Sequence, residues 1–107
     1  MKYHSEKTFV DGIRFDSKKE ARRYIVLKML EDMGEITGLR RQVKFTLITG
    51  KRWSDGHKHR DTVYIADFVY TENGVIVVED VKGFRTDAYR IKRELMKEKY
   101  NIEVKET

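Results

Sequence analysis

The chain has 107 residues, a net charge of +5 and no cysteine. A chain of that length supports one core and buries about 60–70% of the surface its unfolded form would expose, so a single domain over residues 1–107 is expected. Disulfides and thiolate zinc sites are excluded, and the sequence has no signal peptide and no apolar run long enough to span a bilayer. A cytoplasmic protein without a membrane partner is therefore expected.

The charge is unevenly placed. From Leu39 to Arg60 there are seven Lys/Arg against one Asp, a local +6 that exceeds the net charge of the whole chain. Such clustering points to a polyanionic partner, nucleic acid first among them.

Residues 1–7 read as a polar lead-in. Thr8 to Val10, Asp11-Gly12 and Ile13 to Phe15 spell a short hairpin that must pack on something larger. Ser17 opens a helix running to about Met33, with Gly34 just past its end. Helical spacing puts Ile25, Val26, Met29, Leu30 and Met33 on its core stripe, and Glu20, Tyr24, Leu27 and Glu31 on a second row.

A strand from Leu39 to Thr49 follows, then a polar, basic loop from Gly50 to Asp61 holding the only Trp. The run from Thr62 to Glu72 and the run from Val75 onward flank Asn73-Gly74, the strongest short-range hairpin signal. A second helix starts near Thr86 or Asp87, with Ala88, Ile91, Leu95 and Met96 as its core stripe. Asn101 to Lys105 reads as a final strand, parallel to its neighbour because a helix intervenes. The expected fold is α/β (α+β): helix, three-strand antiparallel meander, helix, parallel strand, with a short N-terminal hairpin.

A two-residue turn at Asn73-Gly74 pairs Glu72 with Val75 and, counting along the ladder, Asp67 with Asp80. Strand alternation then puts Val69, Val78, Ile65 and Lys82 on the face of the two aspartates, and Phe68 and Glu79 on the other. Directly opposed carboxylates destabilise a sheet unless compensated, and a divalent cation is the obvious compensation. A three-residue turn would shift the register by one and exchange Glu79 for Asp80.

Asp67, then Asp80-Val81-Lys82 on the next strand, preceded by the helical Glu20, resembles the PD-(D/E)xK nuclease superfamily, whose core has the same element order. Gly12-x-x-Phe15-Asp16-Ser17-Lys18-x-Glu20, Arg41-Gln42 and Val78-Glu79-Asp80-Val81-Lys82-Gly83 look more closely like a small phage-encoded endonuclease-like family. The likeness spans roughly Gly12 to Lys92. Ala66 stands where the superfamily has proline, and Asp80 where Glu is commoner.

The resemblance implies a restriction-endonuclease-like core and a Mg²⁺-dependent endodeoxyribonuclease, with Mn²⁺ as a substitute ion. Asp67, Asp80 and the Val81 carbonyl would hold the metal, since Mg²⁺ takes one or two carboxylates among its oxygen ligands. Lys82 would position or deprotonate the attacking water, and Glu20 would hold a metal-bound water or a second ion. Ser17-Lys18-Lys19-Glu20 is also a capping box, which gives Glu20 a purely local role as the alternative.

Arg41, Gln42, Lys44, Lys51, Arg52, Lys58, Arg60, Arg85 and Lys92 are candidate DNA contacts, and Trp53 a candidate for stacking on a base. His57 and His59, without a second histidine pair, are too little for a zinc site. Small enzymes of the phage type act on branched or transposition-end DNA. The resemblance therefore also implies a Holliday junction resolvase-like activity in a phage-infected or prophage-carrying cell, and a homodimer making two coordinated cuts. The alternatives are a non-catalytic nucleic-acid-binding module keeping the same fold, and a purely structural phage protein.

Overall fold

The computed structural model describes residues 7–81 and 85–107. The lead-in over residues 1–6, and Lys82 and Gly83, lie outside the described residues.

The described residues form eight elements in order: β1 (Thr8–Val10), β2 (Ile13–Phe15), α1 (Lys18–Asp32), β3 (Thr37–Ile48), β4 (Thr62–Glu72), β5 (Val75–Asp80), α2 (Asp87–Tyr100) and β6 (Lys105–Glu106). Strands β1 and β2 form a separate two-stranded sheet; β3-β4-β5-β6 form a mixed sheet in that order, antiparallel except for β5 with β6. The mixed α/β architecture with two helices on one sheet is as expected. The last strand is shorter than expected, because Asn101 takes a left-handed φ of 55° to close α2 and the ladder resumes only at Lys105.

The β4–β5 turn has two residues. Asn73 and Gly74 take φ of 51° and 75°, the pair of positive values a primed turn requires, and Glu72 pairs with Val75, Val69 with Val78 and Phe68 with Glu79. Glu79 is thereby turned away from Asp80.

The helices are capped as their sequences dictate, by Ser17 Oγ accepting from Glu20 N at 3.1 Å and by Thr86 Oγ1 accepting from Tyr89 N at 3.1 Å. Which faces they bury differs from expectation. In α1 the buried residues are Glu20, Ala21, Tyr24 and Leu27. Ile25, Val26, Met29 and Met33 are 43–68% exposed, with Leu30 half-buried. In α2, Tyr89 and Met96 are buried and Leu95 half-buried, while Ala88 and Ile91 face outward.

Two cores result, one on each side of the sheet. Phe15, Ala21, Tyr24, Leu27, Ile36, Phe68 and Tyr70 pack under α1; Leu47, Tyr64, Ala66, Val69, Val78, Tyr89, Met96 and Val104 pack under α2. Tyr64 and Ala66 belong to one cluster and Phe68 and Tyr70 to the other, although unbroken alternation would keep all four on one face. The same exchange occurs in β3, where Leu39 packs with the α1 cluster and Val43, Phe45 and Leu47 with the α2 cluster.

Both exchanges fall on one rung. Gln42, between the pairs Arg41–Phe68 and Val43–Ala66, lies opposite Asp67 and has φ of 51°. The left-handed Gln42 reverses the side-chain parity of β3; β4 exchanges faces at the same rung, and Ile65, expected beside Val69, is instead 50% exposed.

What sets the seating of α1 is a fully buried carboxylate. Glu79 is 0% exposed and takes two hydrogen bonds of 2.7 Å from Arg23 of α1 and one from the Tyr70 hydroxyl. Burial pushes the Glu79 carboxyl up, but Arg23 and Tyr70 together outweigh it and hold it below the usual range. Removing one partner of a buried ion pair costs about 3–5 kcal/mol, so Arg23→Met is expected to lose stability on that scale in urea titrations at pH 7. Because the folded-state pKa is depressed, the clamp contributes fully above the ordinary carboxylate range and is lost as pH falls through the lowered value. The gap between wild type and variant should therefore narrow towards acid pH; a constant gap, or none, would remove the clamp as the determinant.

Candidate functional site

The rung where the sheet changes face is where three acidic side chains come together. Asp67 Oδ2 accepts from Val81 N at 2.7 Å, so β5 continues past Asp80 by bonding to a β4 side chain rather than to its backbone. The Gln42 side-chain amide donates to Asp67 Oδ1 at 3.3 Å and to Glu20 Oε1 at 3.2 Å, bridging the two carboxylates from the centre of the rung. Asp80, 2% exposed, accepts from the Tyr64 hydroxyl at 2.5 Å.

Glu20 makes only half of the capping box. Its amide reaches Ser17 Oγ, while its carboxylate turns to Gln42 and to Arg41, whose guanidinium stands 3.6 Å away and 4.3 Å over the Phe15 ring. The cap alone does not explain where this side chain goes. Burial raises its pKa, Arg41 opposes that, and the charge of Asp16 adds to it.

Asp67 is pushed up to about 6, chiefly by burial; the Val81 amide opposes this, and the charges of Asp80 and Glu20 add to it. Carboxylate oxygens of this kind are hard donors, which suit Mg²⁺ or Mn²⁺ rather than a softer ion. Among the described residues, no three His, Asp or Glu side chains already stand at metal-holding distance; the Gln42 amide lies between two of the carboxylates.

Asp80 also lines a cavity of about 300 Å³ with Tyr64, Ile65, Thr86, Tyr89 and Lys92, between β4 and the start of α2. Lys92, a candidate DNA contact, is thus beside the acidic cluster. Gln42 is exposed and bonds to Glu20 and Asp67, and Arg41 is turned inward towards Glu20. Arg85 is exposed but paired with Glu106, which also accepts from Tyr89.

Lys51, Arg52, Trp53, Lys58 and Arg60 are all exposed on an ordered arm that prolongs the β3–β4 hairpin. Arg52 and Lys58 form a β-bridge, and His59 N donates to Lys51 O at 3.0 Å and Trp53 N to His57 O at 2.9 Å. Trp53 stacks on His59 with ring centroids 3.9 Å apart, yet stays 59% exposed. At the neck a Cβ on Gly50 would stand 1.8 Å from His59 O, so only glycine lets the two strands of the arm pass there. Lys44, at its base, lines a groove of about 440 Å³ with Lys58, His59 and Arg60.

The whole chain, residues 1–107, matches the family model described as "Protein of unknown function (DUF1064)". The protein belongs to that family. No curated protein and no solved structure matches the chain. No helix among the described residues is long and apolar enough to cross a membrane.

The crowding has a direct readout. Since the folded-state pKa of Asp67 is raised, its contribution to stability is present below the ordinary value near 3.8 and is lost as pH rises through about 6. Carboxyl-detected NMR titration is expected to find the Asp67 midpoint near 6, and Asp80→Asn should lower it. A wild-type midpoint near the ordinary value would contradict the burial of Asp67, and a midpoint that Asp80→Asn leaves unchanged would show that the two carboxylates do not feel one another.

Proposed function

We propose that this protein is a divalent-metal-dependent DNA endonuclease with a restriction-endonuclease-like core of the PD-(D/E)xK type, Mg²⁺ being the physiological ion. The observation that carries the reading is that Asp67 shares the Gln42 amide with Glu20 of α1 and stands near enough to Asp80 of β5 to feel its charge.

Asp67 and Asp80 would hold the ion, with the Val81 carbonyl beside them and Glu20 directly or through a water. Bound there, a hard divalent cation supplies positive charge against the phosphodiester. Tyr64 fixes the Asp80 carboxylate through its hydroxyl, and Gln42 keeps Glu20 and Asp67 together. Lys82 enters from the sequence alone, as the group that orients the attacking water and takes its proton. Lys92, in the cavity beside Asp80, offers a cation to the phosphate.

The arm supports DNA as the substrate. Its lysines and arginines meet phosphates, and Trp53, already stacked on one face, presents the other to an unpaired base. Branched DNA, where bases are unstacked, suits that platform. One observation favours the second reading, a non-catalytic nucleic-acid-binding module: no three potential ligands among the described residues stand at metal-holding distance.

Incubation with supercoiled, linear, single-stranded and four-way-junction DNA, with Mg²⁺ or Mn²⁺, separates the two. Cleavage is expected only with a divalent ion, and it should fall by at least about a hundredfold in Asp67→Ala, Asp80→Ala and Lys82→Ala. Trp53→Ala should weaken binding to branched or single-stranded DNA by about 1–3 kcal/mol. Salt-sensitive binding that survives EDTA and Asp67→Ala, with no cleavage under any ion, would assign the module instead.

A further inference from the structure

The outer face of α1 is not used by the core or by the acidic cluster. Ile25, Val26, Met29 and Met33 are 43%, 44%, 57% and 68% exposed, and their spacing places them in one stripe, with Arg22 a turn before them. This stripe lies opposite the face that carries Glu20, Tyr24 and Leu27 into the protein. Four large apolar side chains in one stripe, rather than scattered singly, mark an interaction surface.

The charges beside the stripe say what fits it. The first turns of α1 carry Lys18, Lys19 and Arg22, and its far end carries Asp32 and, just beyond, Glu35. A second copy laid antiparallel would set the basic end of each helix against the acidic end of the other. The two helix dipoles would also oppose each other favourably.

We propose that α1 is the interface of a homodimer in which two copies pair these helices antiparallel about a twofold axis. In the register that puts Ile25 of one copy against Met29 of the other, Arg22 meets Asp32 at both ends, as an isologous interface requires. The inference does not rest on the nuclease reading, because the stripe carries none of the three carboxylates, although Arg22 and Val26 border a cavity with Val81. A helix of 15 residues is about 22 Å long, so one helix pair buries less than the usual stable interface. The dimer is therefore a weak one, dissociating at micromolar concentration.

Sedimentation velocity of the full chain, from low micromolar to sub-millimolar concentration, tests this. The wild type is expected to shift from its 12.8 kDa monomer towards twice that mass as concentration rises. Met29→Glu, at an exposed position, should keep the wild-type circular dichroism spectrum and stay monomeric throughout. Arg22→Asp and Asp32→Arg should each weaken association by about tenfold, and the double exchange, which restores opposite charges across the axis, should recover most of the loss. A wild type that stays monomeric, or a dimer that Met29→Glu leaves unchanged, overturns the proposal; failure of the double exchange to recover association overturns the antiparallel register.

Discussion

A fully buried carboxylate, Glu79, holds this molecule in one arrangement. It lies on β5 beneath α1 and accepts from Nε and Nη2 of Arg23 and from the Tyr70 hydroxyl. An isolated charge there would be prohibitive, so α1 must sit where Arg23 can reach it. Arg23 is less than one turn from Glu20 on the helix, and Glu79 is adjacent to Asp80 on the strand. The same ion pair that seats the helix therefore sets the spacing between the helical and strand carboxylates of the candidate site.

That spacing is completed by the rung of Gln42 and Asp67. A non-glycine residue at positive φ inside a strand costs about 1–2 kcal/mol, and at Gln42 it is stabilised by two charge-assisted hydrogen bonds from its own side chain. The polar groups on this rung fall where one core ends and the other begins, so neither hydrophobic cluster must accommodate them. Tyr64 gives Asp80 its hydrogen bond from within the α2 cluster, and burial first, then that bond and the Asp80 charge, keep the hydroxyl protonated well above its usual range.

Much of this was legible in the sequence wherever a local rule decides. Asn73-Gly74 sets the β4–β5 register and with it the different directions of Glu79 and Asp80; Ser17 and Thr86 set the helix starts. What was not legible depended on distant partners. α1 carries two rows at helical spacing, and choosing the apolar one ignores that Glu79, 56 residues away, requires Arg23 on the inward side. The β3–β4 register could not be counted through the long arm, so nothing placed Gln42 opposite Asp67, and the loss of alternation that moves Ile65 outward had no local signal. Tyr64 and Tyr89, read as ordinary strand and helix residues, turn out to hold Asp80 and Glu106.

The face exchange also divides the molecule mechanically. Each half of the long β3–β4 ribbon is fastened to a different helix: the distal half to α1, and the half nearest the arm to α2, whose Tyr100 hydroxyl donates to Thr46 O at 2.7 Å. Close-packed cores move as units while the seams between them yield. Any twisting of one half against the other is concentrated at Gln42 and Asp67, so a load on the arm is transmitted to the carboxylates as a change in their separation.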